Sequence, residues 1–210
     1  MCFSAEASFV AGFGLVGVGI VAVKRVRTRQ ETLYASIPLL FGVQQLLEGF
    51  LWLTFTNQAE QLSMPLAYLY LLFSNVLWPI YIPLSVLALE TVRWRRLAIV
   101  GIASISAVLS IYLLTVLVLQ PVTACIDSLH ILYDFPNPYE LTTKMLYVLA
   151  TCASLLFSRY HSVVAFGVVA LISEVVANHF YTTWFISVWC FFAALLSAIV
   201  LWYFKGRRLT

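Results

Sequence analysis

Two carboxylates, Glu48 and Glu174, stand inside long apolar runs, where a lone charge costs about 2.5–3.5 kcal/mol on insertion scales. Glu48 belongs to a patterned face: Gln45 and Gln44 lie three and four residues before it, and Trp52 four after, a spacing that puts them along one side of a helix. Glu174 is followed one helical turn later by Asn178. The expectation is that neither carboxylate has a lysine or arginine partner within the membrane. Such groups serve as proton or cation sites, as general bases, or as anchors for a polar ligand. The bland reading is interhelical hydrogen bonding, which also accommodates Gln44 and Asn75.

Thiol and imidazole groups widen the range of chemistry. Cys2, Glu6, Glu48, Glu174 and His179, with Cys125 and His130 nearby, comprise the thiolate, carboxylate and imidazole donors that zinc or a similar divalent metal takes. Their spacing matches no metal motif. Cys2 and Cys125 also admit a disulfide, if both lie outside the reducing compartment. Alternatively, loss of Met1 leaves Cys2 with a free amine beside its thiol. Cys152 reads as packing and His161 as a helix-end residue.

The elements that position these groups follow from composition. Of the residues, 62% are hydrophobic and 10% charged, far from the roughly 25% charged of a soluble domain. Apolar runs at 8–23, 33–55, 64–89, 97–119, 142–158, 161–180 and 184–204 meet, or in the case of 142–158 approach, the roughly 20 residues needed to cross a bilayer. The expected fold is all-α: one domain over 1–210, an integral membrane bundle of seven transmembrane helices, with a long connection at 120–141. Lys24, Arg25, Arg27, Arg29, Arg93, Arg95, Arg96, Arg159, Lys205, Arg207 and Arg208 all fall on one side of this topology, leaving Lys144 alone on the other. By the positive-inside rule the crowded side is cytoplasmic, so the N-terminus is outside and the C-terminus inside. Basic residues distributed in this way are a topology signal and not a nucleic-acid patch.

In that topology Glu48 and Glu174 each lie about seven residues, roughly 10 Å, below the outer surface. Trp189 and Cys190 reach a similar depth and Asn75 lies a little deeper, with Cys2, Glu6 and His179 just above. The expectation is an outward-facing pocket holding Gln44, Gln45, Glu48, Asn75, Glu174 and Asn178, with 120–141 as a lid or a fixed cover. Trp78-Pro79 and Pro83 predict a kinked third helix, and Gly12, Gly14, Gly17 and Gly19 a closely packed first one. No internal repeat is evident.

The opening Met1-Cys2-Phe3-Ser4-Ala5-Glu6-Ala7-Ser8-Phe9, with the run Pro38 to Gly49, resembles an uncharacterised family of bacterial multispan proteins that begin Met-Cys-Phe-Ser-Ala. The resemblance covers the first quarter of the chain most clearly. It implies only that Cys2, Ser4, Gln45 and Glu48 belong to the family pattern, and no activity; the expected location, as a multi-pass protein, is the bacterial inner membrane. Two fold-level analogies fare worse. A retinal protein needs a lysine in the seventh helix, and 184–204 has none. Seven-helix membrane hydrolases of the alkaline-ceramidase type use several intramembrane histidines, and only His179 lies near that depth.

Three function classes stay open. The leading one is a pocket for a metal ion or a small amphiphilic, lipid-like molecule, extending to metal-assisted hydrolysis. The second is a proton- or cation-coupled transporter using Glu48 and Glu174. The third is a non-catalytic accessory subunit of a membrane complex or oligomer.

Overall fold

The computed structural model describes residues 4–56, 59–128 and 130–205, and most of them are helical. Helix α1 (Ala5–Lys24) starts behind Ser4, whose hydroxyl accepts the N–H of Ala7 at 3.3 Å. After a short turn comes α2 (Arg29–Ala35), capped by the Glu31 carboxylate, which accepts the N–H groups of Arg27 at 2.9 Å and Thr28 at 3.4 Å. Ser36 joins it to α3 (Ile37–Thr56), where Pro38 sits in the first turn and its missing N–H costs little. The next rod is α4 (Glu60–Leu71), a π turn (Leu72–Leu77) and α5 (Trp78–Leu89). Helix α6 (Arg93–Leu119) leads to an antiparallel hairpin, β1 (Thr123–Asp127) and β2 (His130–Asp134), with Cys125 opposite Leu132. A short rod follows: α7 (Glu140–Val148), a second π turn (Leu149–Ala153) and α8 (Ser154–Leu156). Helix α9 (His161–Phe180) precedes α10 (Phe185–Leu196), a 3-10 turn (Ser197–Ile199) and α11 (Val200–Lys205).

Six of these rods are long and apolar enough to cross a membrane: Ala5–Lys24, Arg29–Thr56, Gln61–Leu89, Arg93–Leu119, His161–Phe180 and Phe185–Lys205. The rod over 140–156 corresponds to the short run at 142–158 and is the shortest of the seven. Several helices begin earlier than the apolar runs predict, at Arg29, Glu60 and Arg93, because polar residues continue the backbone ladder beyond the apolar stretch. Large apolar side chains face outward around the bundle, among them Phe13, Val108, Ile111 and Val118, each 65% exposed or more. A lipid environment covers such faces, and water does not.

The predicted break in the third rod falls one turn earlier than Pro79 itself. Proline has no N–H, and its ring collides with the carbonyl four residues back, here that of Asn75. The ladder yields by widening to i→i−5, so that Trp78 N–H donates to Phe73 O. The spare carbonyls find side chains: Ser110 Oγ donates to Val76 O at 3.0 Å, and Tyr147 OH donates to Ser74 O.

The glycine stripe of α1 divides into two faces. Gly12 and Gly19 are buried against α3, and Gly42 on α3 returns the contact; a Cβ on Gly19 would lie 2.5 Å from the Leu39 nitrogen, and one on Gly42 2.9 Å from the Gly12 oxygen. Gly14 and Gly17 are exposed, and a Cβ on either would meet nothing within 4 Å beyond its own stretch of helix. Gly19→Leu is therefore expected to push the two helices apart and cost about 1–3 kcal/mol. Gly14→Leu should leave the thermal unfolding midpoint in detergent unchanged, and equal loss in the two variants would contradict the division.

Buried apolar residues form three clusters among the described residues, one of them of Cys152, Ala170, Ala177, Val188 and Trp189. Tyr34, Phe41, Trp78, Ile82 and Tyr203 belong to a second, near the basic ends of the rods. Leu51, Trp52, Tyr70, Ile131 and Tyr133 belong to the third beneath the hairpin, where the rings of Tyr70 and Tyr133 stack at 4.7 Å. At the basic end, buried Glu90 joins α5 to the start of α9: it accepts the N–H groups of Thr91 and Val92 at 2.9 and 2.8 Å, and that of Arg159 at 2.8 Å. Arg95 Nη1 adds a bond to Ser158 O at 2.6 Å.

Candidate functional site

The polar face of α3 is wholly buried: Gln44, Gln45 and Glu48 are each 0% exposed. Gln44 Oε1 accepts the indole N–H of Trp78 at 2.6 Å, and Trp78 in turn stacks on Phe41 at 3.8 Å. Glu48 Oε1 accepts the hydroxyl of Ser187, on the first turn of α10, at 2.7 Å. Both amide atoms of Gln45 lack a hydrogen-bond partner among the described residues. A buried amide in that condition is an attachment point for water or ligand, since leaving it unmet costs about 1–3 kcal/mol.

Above this face lies a cavity of about 260 Å³ between β2, the loop after it, α7 and the start of α10. Ser187, Cys190 and Asn75 line it, so the Glu48 carboxylate stands directly behind its wall. Asp134, Glu140 and Lys144 bring two carboxylates and an ammonium to the same space, and Tyr147, Phe185 and Trp189 supply aromatic surface. Most of these groups are held in place. Asn137 is the hub: its Oδ1 accepts from Tyr112 OH at 3.0 Å and from Tyr139 N–H at 3.2 Å, and its Nδ2 donates to Thr143 Oγ1 at 2.6 Å. The Lys144 ammonium donates to Asn178 Oδ1 and lies 3.8 Å from the centre of the Phe185 ring, a cation–π contact.

The hairpin is pinned across the turn between α9 and α10. Trp184 Nε1 donates to Asp127 Oδ2 at 3.1 Å, and the His130 ring lies 4.7 Å from that of Trp184. Burial holds the His130 imidazole below its ordinary value, against the Asp127 carboxylate, which pulls the other way. The segment at 120–141 thus carries a β-hairpin held against the turn between α9 and α10. Its strands are visible in hindsight as Thr123–Asp127 and His130–Asp134, rich in β-branched and aromatic residues. They meet through Ser128, whose φ of 58° is left-handed.

The predicted pocket residues do not share one space. Asn75 lines the cavity and Glu48 bonds Ser187 on its wall, while Gln44 bonds Trp78 and Gln45 is buried on the same helix. Glu174 and Asn178 instead line a groove of about 480 Å³ on the other side of α7, facing out between α7 and α9. Lys144 and Val148 border both spaces. Lys144 also lies within Coulombic reach of Glu174, so a cation is present where the sequence reading finds none. It was identifiable as the one basic residue on its side of the topology.

The predicted metal set is not brought together among the described residues. Among the described residues no three of His, Cys, Asp and Glu are grouped to hold an ion. Glu6 is exposed in the first turn of α1, His179 is exposed with its ring against Phe180, Glu48 is enclosed behind α10, and Glu174 belongs to the groove. Cys2 lies outside the described residues, and with it the Cys2–Cys125 bond; Cys125 is exposed on β1, while Cys152 and Cys190 are buried. Ser187, Asn137, Thr143 and Tyr147 are site residues that sequence reasoning misses. Hydroxyls and amides are ordinary in helices and loops, and only contact marks them out.

Rods of this length and apolarity, arranged around a buried polar layer, define a helical membrane protein. The chain belongs to the Family of unknown function (DUF6629), which matches residues 1–210. No curated protein and no solved structure matches it.

Proposed function

We propose that this is a seven-span protein of the bacterial inner membrane, with its N-terminus outside the cytoplasm, that binds a small amphiphilic or zwitterionic molecule in an extracytoplasmic pocket. The orientation rests on the positive-inside rule: the connections and helix ends at 24–29, 90–96 and 157–160 carry basic residues, and the hairpin end carries Lys144 alone. The seventh crossing rests on the rod over 140–156, which must pass from the hairpin end to the basic end for α9 to begin beside Glu90. The observation that carries the binding role is the cavity itself, where Lys144, Asp134 and Glu140 surround a space with aromatic walls. A space of this kind takes a compact polar group with both signs of charge, and its volume approaches the lower end of the ordinary ligand range of about 300–1,000 Å³.

The test is ligand-induced stabilisation of the detergent-purified protein by phosphoethanolamine, phosphocholine and a lysophospholipid. A ligand at 100 times its Kd should add about 2.7 kcal/mol, visible as a raised unfolding midpoint. Asn75→Leu, which places an apolar side chain on the cavity wall, should abolish that rise. No response to any of the three compounds, or the same response in Asn75→Leu, would remove the cavity as the binding site.

A further inference from the structure

We infer that the ligand is a bilayer aminophospholipid that enters sideways: its acyl chain lies in the groove between α7 and α9, and its headgroup reaches the cavity past Lys144. This rests on the cavity reading above and names the class of molecule. Three features of the groove carry it.

First, the groove is apolar along most of its length, with Met145, Leu149, Ala153, Leu156 and Leu171 on its walls. Met145 is 66% exposed and Leu149 40%, so the groove opens on the face that lipid must cover. Second, its polarity is confined to the hairpin end, where Lys144, Glu174 and Asn178 stand together. The Glu174 side belongs to a residue only 9% exposed, and a carboxylate at this depth needs a cationic or donor partner. An ammonium and a carboxylate at one end of an apolar trough match a phosphate and a primary amine on one headgroup. The charges lie toward the membrane surface and the apolar part runs toward its middle, as the lipid itself is arranged. Third, Lys144 and Val148 border both the groove and the cavity, so a headgroup held at Lys144 is already at the cavity wall.

The experiment reconstitutes the full chain into vesicles of phosphatidylethanolamine and phosphatidylglycerol in equal parts, re-extracts it in detergent, and counts retained lipids by native mass spectrometry. Wild type should keep one phosphatidylethanolamine per chain, in at least about fivefold preference over phosphatidylglycerol, a difference of roughly 1 kcal/mol. Ala153→Phe, which fills the groove away from the cavity, should lose it, and so should Met145→Trp, an exposed position with little bearing on folding. Glu174→Gln should keep a lipid and lose the preference. Retention undiminished in both groove variants would overturn the lateral route, as would equal retention of the two lipids by wild type. Soluble phosphoethanolamine separates this inference from the cavity reading. If it stabilises wild type and both groove variants while lipid retention ignores the groove, the cavity stands and the route fails. If it stabilises nothing while retention depends on the groove, the groove stands and the cavity fails.

Discussion

Glu90→Ala should lower the unfolding free energy by about 3–5 kcal/mol, a large part of the stability of a domain this size. One buried carboxylate receives the backbone N–H groups of Thr91, Val92 and Arg159. Two of these lie in the connection that leads into α6, with Val92 its N-cap, and the third brings in the connection before α9. Truncation leaves all three donors to be met by water at a site that is 1% exposed at present. Glu90→Gln should fall between, since its amide oxygen can still accept while its NH2 faces a donor. The measurement is equilibrium unfolding in mixed micelles. A loss below about 1 kcal/mol for the alanine variant would mean that the carboxylate is not the junction described. Arg159→Ala should be much milder, because its N–H contact with Glu90 is made by the backbone and survives.

Asn137→Ala is the second large effect, and a local one. The side chain makes three hydrogen bonds, to Tyr112, Tyr139 and Thr143, and so fixes the loop after β2 to both α6 and α7. Removing it should leave global unfolding nearly unchanged while releasing the cover. Amide exchange over 130–139 should accelerate by about 10- to 100-fold, equivalent to roughly 1.4–2.7 kcal/mol of local opening. Asn137→Asp keeps the acceptor and loses the donor to Thr143, so it should show a smaller acceleration. Exchange unchanged in Asn137→Ala would place the anchoring of the cover elsewhere, at the Trp184–Asp127 contact.

The rods were legible in the sequence because lipid permits little else: runs of apolar residues must be helical, and basic residues mark their ends. Legibility extended to the face of α3, since helical spacing alone puts Gln44, Gln45 and Glu48 together, and all three are buried. It stopped at the arrangement of rods around one another. Depth along a helix follows from counting residues, so Glu48 and Glu174 come out near the same level. The azimuth of each helix is set by packing, and packing puts α7 between the cavity and Glu174. The hairpin escaped for another reason. Five-residue strands such as Thr123–Asp127 are too short to stand out in a chain this apolar, and their register depends on a turn at Ser128.

The two π turns carry a consequence for how the bundle tolerates change. Each π turn holds one residue more than an α-helix would over the same height, so the segments before and after it are out of phase by about 100°. Asn75, inside the first, faces the cavity, and Trp78, immediately after it, faces Gln44. Removing a single residue between 72 and 77 would keep the helix and its hydrophobicity while rotating one half of the rod against the other. The rod therefore has a fixed residue count across this stretch, set by the aim of its side chains and indifferent to which apolar residues fill it. The second turn, at Leu149–Ala153, imposes the same arithmetic on the neighbouring rod, and Tyr147 OH on Ser74 O keeps the two counts in step.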